Sequence, residues 1–148
     1  MEELIKLLDK NLRLTAWEVN GDTIYIKAVS VKEEAVCPFC GQVSNKIHST
    51  YIRTLQDLPI QGKKVILILL NKKYFCNNSK CRHKTFSERF SFFSDKAKMT
   101  KRLQEEIINL SINCSSVTAS HLLRKNVAKV SKSTICNILK KRRTITHK

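Results

Sequence analysis

Cys37-Pro38-Phe39-Cys40-Gly41 and, further along, Cys76-Asn77-Asn78-Ser79-Lys80-Cys81 decide how this chain is read. Two residues part the first pair of cysteines and four part the second. Each spacing lets a tight turn aim two thiolates at one ion, and two such pairs complete a tetrahedral zinc site with no open position. Gly41 offers a positive φ and a free amide behind the first pair. The reading is a structural zinc held by Cys37, Cys40, Cys76 and Cys81.

Other uses of these cysteines compete with it. A lone CxxC is a redox motif, four cysteines can make two disulfides, and thiols can simply be buried. A redox site needs one close pair, and here there are two. Met1-Glu2-Glu3 opens the chain without a leader-like apolar run, so a reducing, cytoplasmic setting is expected, where disulfides do not persist. Cys114 and Cys136 read as small buried hydrophobes. His48 and His83 lie close enough in sequence to substitute as ligands, but four thiolates already fill the shell.

Working outward, charge is distributed unevenly. The 148 residues carry a formal +16. Residues 1–36 hold 5 basic and 7 acidic side chains, residues 37–95 hold 10 and 3, and residues 96–148 hold 13 and 2. Such a balance suits nucleic acid, an anionic membrane or an acidic protein. Membrane is the weakest of these, because Val65 to Leu70 is too short to span a bilayer and no aromatic residue follows Phe93 to anchor an interfacial helix. Nucleic acid is the expected partner.

Periodicity divides the chain into three segments: 1–35, 36–95 and 96–148. The first reads as a helix over residues 2–10 and a hairpin turning at Asn20-Gly21-Asp22, with Trp17, Val19, Ile24 and Ile26 on its apolar side. The second is the zinc region. It has a strand over 48–55, a turn marked by Asp57-Leu58-Pro59 and Gln61-Gly62, and an apolar strand over 64–75 that delivers Cys76. Phe75, Phe86, Phe90, Phe92 and Phe93 gather near the second pair, as core more than as a stacking surface for bases.

The third segment reads as three helices: residues 100–112, a second capped by Ser115 or Ser116 and running to about 125, and a third capped by Ser131. In the third, Ile135, Ile138 and Leu139 share one face. Ser131, Lys132, Ser133, Thr134, Asn137, Lys140 and Lys141 are left as candidate contacts to bases and phosphates in a major groove. A helix-turn-helix fits, although its connection lacks glycine, and a plain three-helix bundle with a solvated face is the competing reading. The expected class is α+β: a four-cysteine zinc ribbon with an N-terminal helix and hairpin, followed by a helix-turn-helix bundle.

The motifs stand in an order that resembles the N-terminal part of the ISL-three family of bacterial insertion-sequence transposases. They are Val19-Asn20-Gly21-Asp22-Thr23-Ile24, the Cys37–Gly41 run, His48-Ser49-Thr50-Tyr51, Asp57-Leu58-Pro59 with Gly62, Tyr74-Phe75-Cys76-Asn77 through Cys81, and Phe86-Ser87-Glu88-Arg89. The resemblance covers about residues 4 to 145. It implies that the four cysteines are zinc ligands, that residues 100–142 form a helix-turn-helix, and that both serve binding of double-stranded DNA at the transposon's terminal inverted repeats.

Family members continue into a catalytic domain with an Asp-Asp-Glu triad. Here the aspartates are Asp9, Asp22, Asp57 and Asp95, none of which reads as part of a paired-carboxylate metal site. No strand cleavage by this polypeptide is expected; a catalytic part acting in trans, or self-association, fits the resemblance. A transposase-derived transcriptional regulator and a zinc-ribbon module on RNA or protein are the alternatives.

Overall fold

The computed structural model describes residues 1–112, 117, 118, 121 and 131–146, with side chains through 141. Its centre is strand β6 (Lys63–Phe75), one of seven described strands, and its apolar run alternates strictly. Val65, Leu67, Leu69 and Asn71 point inward and are almost fully buried. β5 (Ile47–Ile60) runs antiparallel to β6 along nearly its whole length. Gln61 and Gly62 join the two with φ of 50° and 74°. Two consecutive positive φ values are what a two-residue hairpin loop requires, because its twist then matches that of the strands.

On the other side of β6 lies β2 (Thr23–Ser30), parallel to it from Thr23 opposite Lys64 to Val29 opposite Leu70. β1 (Leu12–Asn20) pairs antiparallel with β2 at the sheet edge. The short β7 (Thr85–Ser87) pairs with the last residues of β6. A separate ribbon, β3 (Ala35–Val36) with β4 (Val43–Ser44), carries the first cysteine pair. The N-terminal hairpin is thus part of the sheet that also carries the second pair, and the crossover from β2 to β6 is made by strands rather than by a helix.

One face of this sheet builds the main core. Ile24, Ile26 and Ala28 of β2, Leu55 of β5, and Val65, Leu67 and Leu69 of β6 are covered by Ile5, Leu12, Phe92 and Phe93. Helix α1 (Glu2–Lys6) supplies Ile5 and is shorter than the expected span of residues 2–10. The hairpin forms, but its loop is Gly21-Asp22, and there only Gly21 takes a positive φ, 62°. Ile24 and Ile26 are buried as expected, whereas Trp17 and Val19 are about half exposed. β1 is an edge strand, and beyond the irregularity at Leu14/Ala16 its far half is left uncovered by the described residues.

Four of the six phenylalanines divide between two places. Phe90, Phe92 and Phe93 contact one another in the main core, while Phe86 packs with Tyr74 and Cys37 in a second cluster. Asp57-Leu58-Pro59 lies inside β5 as an irregularity between Asp57 and Ile60, so the turn itself is made by Gln61-Gly62 alone.

Beyond the sheet, α2 (Lys101–Ile112) is capped by Thr100, whose Oγ1 accepts the Leu103 amide at 3.3 Å. α3 (Lys132–Thr146) is capped by Ser131, whose Oγ accepts the Thr134 amide at 3.1 Å. Leu103 and Ile107 of α2 pack with Ile135, Ile138 and Leu139 of α3, and Leu58 and Met99 join them from the sheet side. The expected three-helix bundle is not seen among the described residues. Val117, Thr118 and His121 are helical, but the caps Ser115 and Ser116, most of the second helix, the connection at 126–130 and Cys114 lie outside them.

Candidate metal centre

β3 and β4 form a two-stranded ribbon whose turn holds Cys37 and Cys40. The Cys37 amide donates to Gln42 O at 2.9 Å, and the Gly41 amide donates to Cys37 O at 2.8 Å. Gly41 has φ of 80°, as the turn requires, but its amide serves a carbonyl rather than a sulfur. The second turn grows from the β6–β7 ladder. Phe75 ends β6, the Cys76 amide donates to Lys84 O at 2.8 Å, and the Cys81 amide donates to Asn78 O at 3.0 Å. The Phe75 amide donates to Lys46 O at 2.8 Å, which draws the first ribbon to the end of β6.

The two turns bring all four sulfurs within 4.8 Å of one another. Zinc–sulfur bonds of about 2.3 Å in a tetrahedron put sulfurs about 3.8 Å apart, so the quartet has the size of one zinc shell. Cys40 Sγ and Cys76 Sγ are 3.5 Å apart, far beyond the roughly 2.05 Å of a disulfide. All four cysteines are free thiols. Cys37 is buried against Tyr74 and Phe86, while Cys40 is exposed.

Backbone amides prepare three of the sulfurs for the thiolate state. The amide of Gln42, helped by the Asn78 side chain and by Cys76 and Cys37, holds the Cys40 thiol down at about 7 against desolvation. Asn78 supplies the amide to Cys76 and His83 the amide to Cys81. Burial and the neighbouring sulfurs nevertheless push Cys76 up to about 12, and burial with Cys40 and Cys37 raises Cys81. Adjacent thiolates repel each other, and a bound dication removes that opposition. The donor set, its spacing and its amides fit structural zinc: four thiolates and no position left for substrate.

Neither histidine joins the quartet. The His83 ring stacks on Phe39 with centroids 3.5 Å apart, and the Arg89 guanidinium lies 5.7 Å from the Phe39 ring. His48 meets the Phe75 ring edge-on at 4.8 Å, and its Nδ1 is 2.8 Å from Ser49 Oγ.

Residues 33–81 match the zinc-finger of transposase IS204/IS1001/IS1096/IS1165. The matched stretch contains both cysteine pairs and the strands that join them, and in it the chain is similar to a transposase zinc finger. No curated protein and no solved structure matches the chain. The quartet is a structural zinc site.

The other candidate residues sit on α3, remote in sequence from the metal. Ser131, Lys132, Ser133, Asn137, Lys140 and Lys141 are exposed, Thr134 is half-buried, and Ile135 on the opposite side is fully buried. Ser133, Asn137 and Lys140 lie on the side of α3 away from Ile135. Cys136 is half-buried. No helix among the described residues is long and apolar enough to cross a membrane.

Two acidic side chains acquire a structural role that their sequence context did not reveal. Asp57 and Glu88 are among three acidic residues in the basic stretch 37–95, and both are buried. Scarcity was the available signal: an isolated carboxylate among lysines is either solvated or has a specific internal place.

Proposed function

We propose that this chain is a DNA-binding module related to insertion-sequence transposases. Zinc organises its ribbon, and α3 reads duplex DNA at transposon terminal inverted repeats. The observation that carries this reading is the match of residues 33–81 to a transposase zinc finger, around a four-thiolate cluster of the right size. Two further features support it. Residues 96–148 hold 13 basic and 2 acidic side chains. The exposed face of α3 presents hydroxyl, amide and ammonium groups, which suit base edges and phosphates. In this reading residues 100–142 act as a helix-turn-helix with α3 as its reading helix, and strand cleavage is the work of none of these residues.

Fluorescence anisotropy with the zinc-loaded chain tests it. A duplex bearing the matching inverted repeat is expected to bind more tightly than a scrambled duplex of equal length. Log affinity should fall with log salt by about 0.9 for each phosphate neutralised. Equal affinity for both duplexes and for structured RNA would remove the sequence-reading part.

A further inference from the structure

Phe39 stands between Cys37 and Cys40 and is 49% exposed, unlike Phe86, Phe92 and Phe93, which are buried. The exposed His83 ring lies on it in a parallel stack, with planes inclined by only 10°, and Arg89 completes the group. The metal turns set both rings. Phe39 is placed by the first turn, and the His83 backbone amide donates to the Cys81 sulfur of the second. A group of the same make-up adjoins the other pair: Phe75 precedes Cys76 and carries His48 edge-on at 4.8 Å and Lys46 Nζ at 5.3 Å. Cys40 Sγ and Cys76 Sγ are 3.5 Å apart, so the two groups flank one metal centre.

Charge gathers at the same end of the sheet. Of the ten lysines and arginines in residues 37–95, the five that are exposed are Lys46, Lys80, Arg82, Lys84 and Arg89, all beside the cysteine turns. The other five, on β5 and β6, are half-buried. Asp57 and Glu88 are buried, which leaves Asp95 as the exposed acidic side chain of that stretch. Exposed rings among unopposed cations are the means by which proteins hold unpaired nucleobases: the base stacks on a ring and the cations follow its phosphates. A base pair inside a duplex shows only its edges in the grooves, so its faces cannot use such a surface.

We propose that the exposed His83–Phe39 stack is a platform for an unpaired nucleobase, with Lys80, Arg82 and Lys84 on the phosphates beside it and the His48–Phe75 pair as a second stacking position on the same metal centre. The site shares with the function proposed above only the nucleic-acid class of partner; it depends on neither α3 nor the inverted repeats.

Fluorescence anisotropy of the zinc-loaded full chain tests this with two single strands of equal length, one of thymidines and one with the same phosphate backbone and abasic residues. The charges are equal, so the thymidine strand is expected to bind about tenfold more tightly through stacking alone. His83→Ala and Phe39→Ala, each at an exposed position and each checked for stoichiometric zinc, should bring that ratio close to one and leave the affinity for the abasic strand unchanged. His83→Phe, which keeps a ring, should preserve the ratio. The His83→Ala variant, which removes only an exposed ring, keeps the test open should Phe39→Ala lose its zinc. A uridine ribose strand of the same length distinguishes the source: tighter binding of the deoxyribose strand assigns unpaired DNA, and tighter binding of the ribose strand assigns RNA. With an inverted-repeat duplex measured in parallel, loss of repeat preference beside a retained base-to-abasic ratio would remove the reading role of α3 and leave this site standing. Equal binding of the thymidine and abasic strands, or an undiminished ratio in both alanine variants, would overturn the proposal.

Discussion

Arg102, in the first turn of α2, grips Asp57 of β5 with both ends of its fork: Nε donates to Oδ1 at 2.8 Å and Nη2 to Oδ2 at 2.5 Å. Thr100 Oγ1 adds a third donor to Oδ1 at 2.8 Å. Two backbone bonds run alongside, from the Gln56 amide to Lys98 O and from the Thr100 amide to Gln56 O, each 2.9 Å. The helical part is thus fastened to the sheet at one polar point beside the apolar contact of Leu58 and Met99.

Asp57 is 4% exposed, so removing it strands a half-buried guanidinium and a buried hydroxyl. Asp57→Ala is expected to cost about 3 kcal/mol in urea denaturation, within the range for breaking a buried pair. A loss below about 0.5 kcal/mol would show that the apolar contacts alone hold α2 in place.

Cys81→Ser should release zinc, read directly by a chromogenic chelator. Spacing alone suggests that the whole of residues 36–95 then unfolds, since zinc contributes about 10–16 kcal/mol in small metal domains. The packing confines the damage more narrowly. The core of β2, β5 and β6 is built from Ile24, Leu55, Leu67 and Leu69, separate from the Cys37–Tyr74–Phe86 cluster. Amide exchange should therefore accelerate in β3, β4 and residues 76–87, while β2 and the first half of β6 stay protected. Uniform loss of protection would mean that one cooperative unit spans both clusters.

Glu88 gives a pH signature. Burial raises its pKa above the usual carboxylate value, opposed by Ser30, Lys72 and Lys32. Above the ordinary value the unfolded chain has already lost this proton while the folded chain keeps it. The folded state then binds more protons, so stability falls as pH rises from the unfolded toward the folded pKa, and levels off beyond it. Glu88→Gln should flatten that decline and be the more stable protein at neutral pH. A variant whose stability tracks the parent at every pH would show that Glu88 is effectively solvated.

On α3, Lys140→Ala with Lys141→Ala should weaken binding to all duplexes and lower the salt slope by up to about 2. Asn137→Ala should instead relax sequence preference, because an amide pairs two-pronged with adenine. Retained preference in that variant would move base reading to another surface.

Much of this was legible in the sequence because local rules governed it. The cysteine spacings, the alternation of Val65 to Asn71 and the i, i+3, i+4 set of Ile135, Ile138 and Leu139 each encode one geometry. What the sequence hid was long-range. The parallel pairing of Thr23–Val29 with Lys64–Leu70 leaves no local mark, and the exposure of Trp17 is explained only once β1 is known to be an edge. Asp57 read as part of a turn because Pro59 and Gly62 come soon after it, whereas Arg102, its true partner, stands 45 residues away.

The β5–β6 ladder also sets a length. The cysteine turns adjoin Phe75, and the Arg102 clamp adjoins Val65, the partner of Asp57. Ten strand residues at about 3.3 Å each separate these points by about 33 Å along the strand. The ladder is therefore a spacer: it sets how far the metal centre stands from the helical part, and each residue pair added to or removed from the β5–β6 hairpin between them changes that separation by about 3.3 Å.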